Sequence, residues 1–65
     1  MTPRQAHLYA FIQSYFREHD RFPTSRESAQ HMGIVQTAVV HHMHGLRKAG
    51  LIEKDGHHYR FRRKG

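Results

Sequence analysis

The sequence predicts a mainly α-helical domain in which three helices are followed by a two-stranded β-hairpin. Three segments repeat apolar residues at the spacing of an α-helix, and two of them begin with a capping box. Near the C-terminus, Asp55-Gly56 separates two stretches that alternate apolar and polar residues. Residues 1–65 are predicted to form a single domain, because a chain of this length has material for only one small core.

The first helix is predicted over about 3–19. Thr2 and Gln5 have the spacing of a capping box, and Pro3 occupies the first helical position, where its missing N–H is not needed. The core stripe of this helix is Leu8, Phe11, Ile12, Tyr15 and His19. Tyr9 and Phe16 widen the apolar arc, so they either complete a small core or form a dimer face.

The second helix is predicted over about 25–32. Thr24 and Glu27 form a second capping box, and Gly33 suits the left-handed conformation at a helix end. Ala29 and Met32 supply the buried side. Ser28 also falls on that side, where an apolar residue would pack better.

The third helix is predicted over about 36–49, with a core stripe of Val39, Met43 and Leu46. Gly50 is expected to close it. Gly45 costs about 1 kcal/mol relative to alanine in mid-helix. Its presence therefore predicts the close approach of another helix. Val35 is a poor N-cap for this helix.

The final segment, about 51–63, is predicted to be a hairpin with Asp55-Gly56 as its two-residue turn. That turn would pair Lys54 with His57, Glu53 with His58, and Ile52 with Tyr59. Alternation then predicts a core face formed by Ile52, Tyr59 and Phe61, and an outer face formed by His58, Arg60 and Arg62. Helix, helix, helix and hairpin in this order describe a winged helix-turn-helix.

Charge and composition indicate a polyanionic partner. The chain has 11 Lys and Arg against 5 Asp and Glu, a formal net charge of +6, and 8 His. Lys and Arg that bind phosphates release condensed counterions; the alternative is a solubilising surface. The absence of cysteine excludes disulfides and thiolate zinc sites, and no apolar run approaches a membrane span. We expect a cytoplasmic, nucleoid-associated protein with no enzymatic activity and no cofactor.

Several motifs carry a resemblance to a known family. "TPRQ", "FI" and "FPTSRESAQHMGI" resemble the LexA-type repressor DNA-binding domain, and "GIVQTAVVHHMHGLRKAGLIEKDG" is similar to the broader winged-helix repressors. The resemblance covers residue 2 to about residue 56 and implies a DNA-binding transcription regulator. The third helix would lie in the major groove of duplex DNA, and the hairpin would act as the wing.

The departures from the family pattern also matter. Ser28 replaces the usual isoleucine, and Val35 stands where a small capping residue is frequent. LexA-type repressors carry a downstream self-cleaving and dimerising domain, to which the resemblance does not extend. We therefore expect a small repressor of phage or prophage type without self-cleavage, whose dimer would form through its own surface, including Tyr9 and Phe16, or be templated by DNA.

The outward stripe of the third helix supplies the predicted DNA-reading site. The residues expected to contact bases are Gln36, Thr37, Val40, His41 and His44. Those expected to bind phosphates are Thr24, Ser25, Arg26, Lys48, Arg60 and Arg62. The alternatives for Arg26 are a solvated surface arginine or an ion pair with Glu27.

The remaining basic residues have other predicted roles. His42 points away from the outward stripe, and we expect it to be a partly buried structural histidine. Arg63 and Lys64 would either reach DNA or form a disordered tail. A metal site is not expected, because the histidines match no recognised ligand spacing.

Two other classes of function remain open from the sequence alone. The basic face could dock on an acidic surface of a protein partner and inhibit it. Alternatively, the domain could bind DNA without sequence preference, as architectural proteins do, with an affinity that falls steeply with salt.

Overall fold

The structure, a computed structural model, describes residues 2–62 and contains the predicted elements in the predicted order. Three helices, α1 (Pro3–His19), α2 (Ser25–Met32) and α3 (Gln36–Lys48), are followed by strands β1 (Ile52–Asp55) and β2 (His58–Phe61), which form an antiparallel hairpin. The fold class, a winged helix-turn-helix, is confirmed. Arg63 and Lys64 lie outside the described residues, so their predicted contacts stay untested.

The hydrophobic core lies where the three helices meet the first strand. Leu8, Ile12, Val39, Leu46 and Ile52 are each at most 1% exposed. Burying a side chain of this size stabilises a fold by about 1.5–3 kcal/mol. Met43 completes the predicted stripe of α3 at 6% exposure. The 3.6-residue periodicity of the sequence therefore identified the buried face of α3. In α1 it was right for Leu8 and Ile12, but Phe11 and Tyr15 are only half-buried. His19, at the last position of the helix, is exposed, so its predicted place in the core stripe is wrong.

Capping groups define the starts of α1 and α2 as predicted. The Thr2 hydroxyl accepts from the Gln5 N–H, and the Gln5 side chain accepts from the Thr2 N–H, each at 3.2 Å. Thr24 and Glu27 repeat this reciprocal pair at 3.0 and 2.9 Å. Each box satisfies two N–H groups that a helix start would otherwise leave without partners.

Gly45 marks a close approach between α1 and α3, as its position in mid-helix predicted. A Cβ at Gly45 would overlap the side-chain amide nitrogen of Gln5 and lie 2.7 Å from its Cδ. The same Gln5 side chain completes the capping box of α1. The glycine therefore makes room for the N-terminal cap of the neighbouring helix.

The predicted turn and register of the hairpin are wrong. The observed pairs are Ile52 with Phe61, Glu53 with Arg60, Lys54 with Tyr59, and Asp55 with His58. The turn is Gly56-His57, with a positive φ of 63° at Gly56 only. A glycine at the first central position is typical of a type II′ turn, whereas an Asp-Gly turn of type I′ needs positive φ at both residues.

The assignment of side chains to the core and outer faces of the hairpin is still correct. The observed register differs from the predicted one by two residues, and side chains alternate between the faces with a period of two. Tyr59 and Phe61 are half-buried, while His58, Arg60 and Arg62 are exposed. The observed register also brings Arg60 beside the carboxylates of Glu53 and Asp55, and these ion pairs help to stabilise that register.

Phe61 attaches the wing to the first helix. Its ring lies 5.2 Å from the ring of Phe16, 6.1 Å from that of Tyr9 and 4.7 Å from that of Phe22, all between centroids. Aromatic pairs at such separations contribute about 0.5–1.5 kcal/mol beyond their buried area. These contacts support the first alternative for Tyr9 and Phe16, completion of a small core.

None of the helices within residues 2–62 is both long and apolar enough to cross a lipid bilayer.

Candidate nucleic-acid interface

The outward side of α3 is a row of exposed side chains held by a buried stripe. Val39, Met43 and Leu46 fix the helix against the core, which turns the residues between them towards solvent. All five residues predicted to read bases are exposed: Gln36, Thr37, Val40, His41 and His44. They offer an amide, a hydroxyl, a methyl-rich side chain and two imidazoles, which are groups that bind base edges in the major groove.

Val35, the N-cap of α3, is an exposed candidate that was not among the predicted site residues. It is 68% exposed, more than any other large apolar residue of the described chain, and it makes no side-chain cap for α3. A solvent-exposed valine at the start of this helix can contact a thymine methyl group. The signal in the sequence was an apolar residue at a position where a small capping residue would stabilise the helix.

His42 is not part of the exposed row on α3. It is half-buried, and its ring centroid is 5.9 Å from that of His41. The observed burial agrees with the expectation of a partly buried histidine. Its structural role stays a prediction.

A basic groove lies between the C-terminal half of α3 and the wing. Its cationic side chains are Arg47, Lys48, Lys54 and Arg62, and His44, Ile52 and Glu53 line it as well. The Arg62 guanidinium lies beside Gly50, with one nitrogen 3.2 Å from where a Cβ would stand. Only the fold brings these residues together, since they come from α3, from β1 and from the end of the hairpin.

Arg47 and Lys54 are the two members of the basic groove that sequence reasoning missed as phosphate-binding candidates. Arg47 falls between the outward and core stripes of α3. Lys54 was placed opposite the wrong residue by the predicted register. In the structure its Nζ lies 6.0 Å from the ring centroid of Tyr59, its cross-strand partner.

Arg60, predicted to bind phosphate, is engaged by two carboxylates. Its Nε donates to Glu53 at 2.6 Å, and its guanidinium lies 3.5 Å from Asp55. The hydrogen bond to Glu53 raises the pKa of Arg60, and the negative charges of Glu53 and Asp55 add to this effect. Its positive charge is therefore partly compensated within the wing.

The start of α2 presents Thr24, Ser25 and Arg26 to solvent beside the free N–H groups of the first turn. Such a helix start attracts anions. Thr24 is already used as the N-cap, since its hydroxyl accepts from Glu27. Arg26 is exposed.

Glu27 binds several groups from two helices and the loop between them. Its carboxylate accepts from the Thr24 N–H at 2.9 Å and from the Tyr15 hydroxyl at 2.5 Å, and it lies 3.4 Å from Arg21. The backbone hydrogen bond from Thr24, followed by the bond from Tyr15, lowers the pKa of Glu27 to about 2. The ion pair of Glu27 within the described chain is thus with Arg21, and the alternative pairing with Arg26 is not observed.

Metal-ligating side chains do not cluster in the part of the chain that the structure describes. No group of three or more His, Asp or Glu residues within 2–62 is arranged to hold an ion.

Comparison with known proteins identifies the family. The family model described as the LexA DNA binding domain matches residues 1–61. The chain belongs to the LexA DNA-binding domain family. The resemblance found in the "TPRQ" and "PTSRE" motifs is thereby confirmed.

Two curated relatives carry the name LexA repressor. The chain is 38% identical over 56 residues to the LexA repressor of Geotalea uraniireducens (strain Rf4), and 36% identical over 56 residues to that of Koribacter versatilis (strain Ellin345). Each match covers 85% of this chain but only 28% and 27% of the relative. The chain thus spans little more than a quarter of the length of these relatives.

Proposed function

We propose that this domain is a sequence-specific transcriptional regulator, a small repressor of phage or prophage type that occupies an operator and excludes polymerase. The observation that carries the proposal is the exposed row on α3, which joins base-reading side chains to a basic groove along one face of the helix. In this arrangement α3 lies in the major groove with Gln36, Thr37, Val40, His41 and His44 at the base edges.

Phosphate contacts flank that helix on both sides. The start of α2 offers Thr24, Ser25 and Arg26 to one strand of the duplex. The basic groove offers Lys48, Arg62 and the added candidates Arg47 and Lys54 to the phosphates beside the wing. Such contacts position the protein on the duplex without reading sequence.

The first experiment is selection of bound duplexes from a random pool at near-physiological salt. An enriched motif supports sequence-specific readout, and a palindrome supports a dimer on two half-sites about one helical turn apart. Binding without enrichment would support the architectural alternative. If the protein retains no duplex from the pool, both the sequence-specific and the architectural DNA-binding functions are contradicted. Inhibition of a protein partner would then be favoured.

Gln36→Ala tests the base-reading row, and Gln13→Ala is its matched control. Both glutamines are exposed on helices, but Gln13 lies on α1. Gln36→Ala should weaken binding to the selected duplex by about 1–3 kcal/mol and relax the preference at one base pair, because a bidentate contact is lost. Equal effects of the two substitutions, measured by fluorescence anisotropy, would remove Gln36 from the readout.

Lys54→Gln tests the basic groove through the salt dependence of binding. Each phosphate contact contributes about 0.9 to the slope of log K against log salt concentration. We expect Lys54→Gln to reduce the slope by about that amount, and Arg60→Gln to reduce it less, since Glu53 and Asp55 already compensate Arg60. A larger loss for Arg60→Gln would show that this arginine leaves its carboxylates to bind DNA.

A further inference from the structure

A partly enclosed cavity opens beside the proposed phosphate contacts at the start of α2. It has a volume of about 310 Å³ and lies between the start of α2, the inner side of α3 and the tip of the wing. A dry apolar cavity of roughly 150 Å³ already admits benzene, and ligand pockets begin at roughly 300 Å³. The space therefore suits a ligand somewhat larger than a single ring.

The walls of this cavity are largely apolar, with polar groups contributed by α2 and by the wing. The apolar lining includes Ile12, Phe22, Val39, Met43 and Tyr59. Hydroxyl groups come from the start of α2, and His57 and His58 come from the wing. No carboxylate lines it, so a cationic ligand would find no counter-charge.

The buried hydroxyl of Ser28 indicates a bound ligand in this cavity and not only imperfect packing of the core. It is the buried polar residue of the described core, 2% exposed, and it lines the cavity. Its hydroxyl makes none of the side-chain hydrogen bonds found within residues 2–62. Among these residues, no side-chain N or O atom that is fully buried lacks a hydrogen-bond partner. The unpartnered Ser28 oxygen is therefore not fully buried, and the cavity that Ser28 lines is where it is accessible. A buried hydroxyl favours an occupant with which it can hydrogen-bond.

The polar side of the cavity favours a negative charge. The capping box uses the N–H of Glu27, which leaves the N–H groups of Ser25 and Arg26 at the positive end of the α2 dipole. Two imidazoles of the wing lie on the same cavity, and an imidazole N–H can donate a hydrogen bond to an anion.

We propose that this cavity binds a small aromatic monocarboxylate, with its ring among the apolar side chains of α1 and α3 and its carboxylate between the start of α2 and the wing tip. The Ser28 hydroxyl donates to the bound acid.

Binding there would regulate the proposed function. Thr24 and Ser25 are proposed phosphate contacts, and they line the same cavity as the wing tip. A carboxylate seated beside them competes with the DNA backbone for the same N–H groups. The ligand should therefore weaken DNA binding, and DNA should weaken ligand binding by the same factor. This coupling rests on the proposed function, whereas ligand binding itself does not.

The first test uses phenylacetate and the free protein, followed by NMR. Saturable shifts of the Met43 methyl and of the amides of Ser25, Ser28 and Tyr59 support the proposal. Phenethylamine, a cationic ligand of similar size, should bind much more weakly. The absence of saturable shifts, shifts spread over the whole surface, or equal binding of the amine would overturn it.

Ser28→Ile fills the cavity, and Ser14→Ile is its matched control. Ser14 is an exposed serine of α1, away from the cavity. We expect phenylacetate binding to be lost in Ser28→Ile and kept in Ser14→Ile, with Ser28→Val as a smaller filling side chain if isoleucine disturbs folding. Unchanged binding in a folded Ser28→Ile or Ser28→Val protein would contradict the proposed location.

A second measurement separates ligand binding from its coupling to DNA. With a selected duplex, saturating phenylacetate should raise the Kd for DNA by about fivefold or more, and Ser28→Ile should remove this effect. If no duplex binds, the proposed function fails while the NMR shifts still support the cavity. If phenylacetate binds in the cavity but leaves the Kd for DNA unchanged, the regulatory part of the inference is wrong.

Discussion

Asp20 holds a strained backbone conformation at the end of α1. Its φ of 57° and ψ of 29° lie in the left-handed region, and it is the one non-glycine residue with positive φ in the described chain. The Asp20 N–H donates to the carbonyl of Phe16. The turn into Phe22 and Pro23 requires this conformation, although an L side chain is disfavoured there.

Asp20→Gly should therefore raise stability. Glycine adopts the left-handed conformation without a steric penalty, and it is the usual residue at this type of helix end. We expect the free energy of unfolding to increase by about 0.5–1 kcal/mol in urea denaturation. Asp20→Ala, which keeps the Cβ, should be destabilising, and stabilisation by both substitutions would point to the charge rather than to the backbone.

Between α1 and α3, a glycine and a capping side chain depend on each other. Gly45 leaves space for Gln5, which in turn satisfies the N–H of Thr2. An alanine at residue 45 would gain helix propensity, but it would displace the Gln5 amide. The two positions are therefore coupled in stability, as contacting residues usually are.

A double-mutant cycle tests this coupling. In a Gln5→Ala background, Gly45→Ala should stabilise the protein by about 1 kcal/mol, the helix-propensity gain. With Gln5 present, the same substitution should give a clearly smaller gain or a loss. Equal effects in the two backgrounds, measured by thermal and urea unfolding, would show that Gln5 moves aside without cost.

Glu27 connects α1, α2 and the loop between them, and this connection depends on pH. The pKa of Glu27 is about 2 in the folded protein, against an ordinary value of 4.5. Its contribution to stability is complete above about pH 4.5 and is lost as the pH falls towards 2, because the unfolded chain takes up the proton first.

Glu27→Gln should remove this part of the acid sensitivity. The urea midpoint of the wild type should fall between pH 4.5 and 2 more steeply than that of Glu27→Gln. Glu18→Gln, which changes an exposed acid of α1, is the control and should keep the wild-type slope. Parallel curves for the wild type and Glu27→Gln would contradict the role of this carboxylate.

The proposed DNA-binding face combines His41 and His44 of α3 with basic side chains of the wing. Imidazoles can hydrogen-bond guanine or phosphate, so both histidines are expected to contribute to DNA affinity.

The combined substitution of His41→Ala and His44→Ala should therefore weaken DNA binding, whereas His19→Ala, an exposed histidine on α1, should leave it unchanged. Both variants are compared with the wild type by fluorescence anisotropy at one pH and one salt concentration. An unchanged affinity of the combined variant would remove both histidines from the interface.

Local sequence patterns predicted the three helices, the wing, the buried stripe of α3 and the two buried residues of α1, Leu8 and Ile12. Capping boxes at Thr2 and Thr24 are local, and apolar spacing within one helix needs no knowledge of its neighbours. The exposed row on α3 followed from the same periodicity. Motifs such as "PTSRE" carried the family resemblance for the same reason, since they lie within short stretches.

The hairpin register, the basic groove and the cavity could be identified only from the tertiary structure. The register depended on which residue took the positive φ of the turn, and Gly56 took it. That register paired Arg60 with Glu53 and placed Lys54 in the groove. The groove and the cavity are each formed by residues distant in sequence, so their shape and charge depend on packing between elements, which no local pattern encodes.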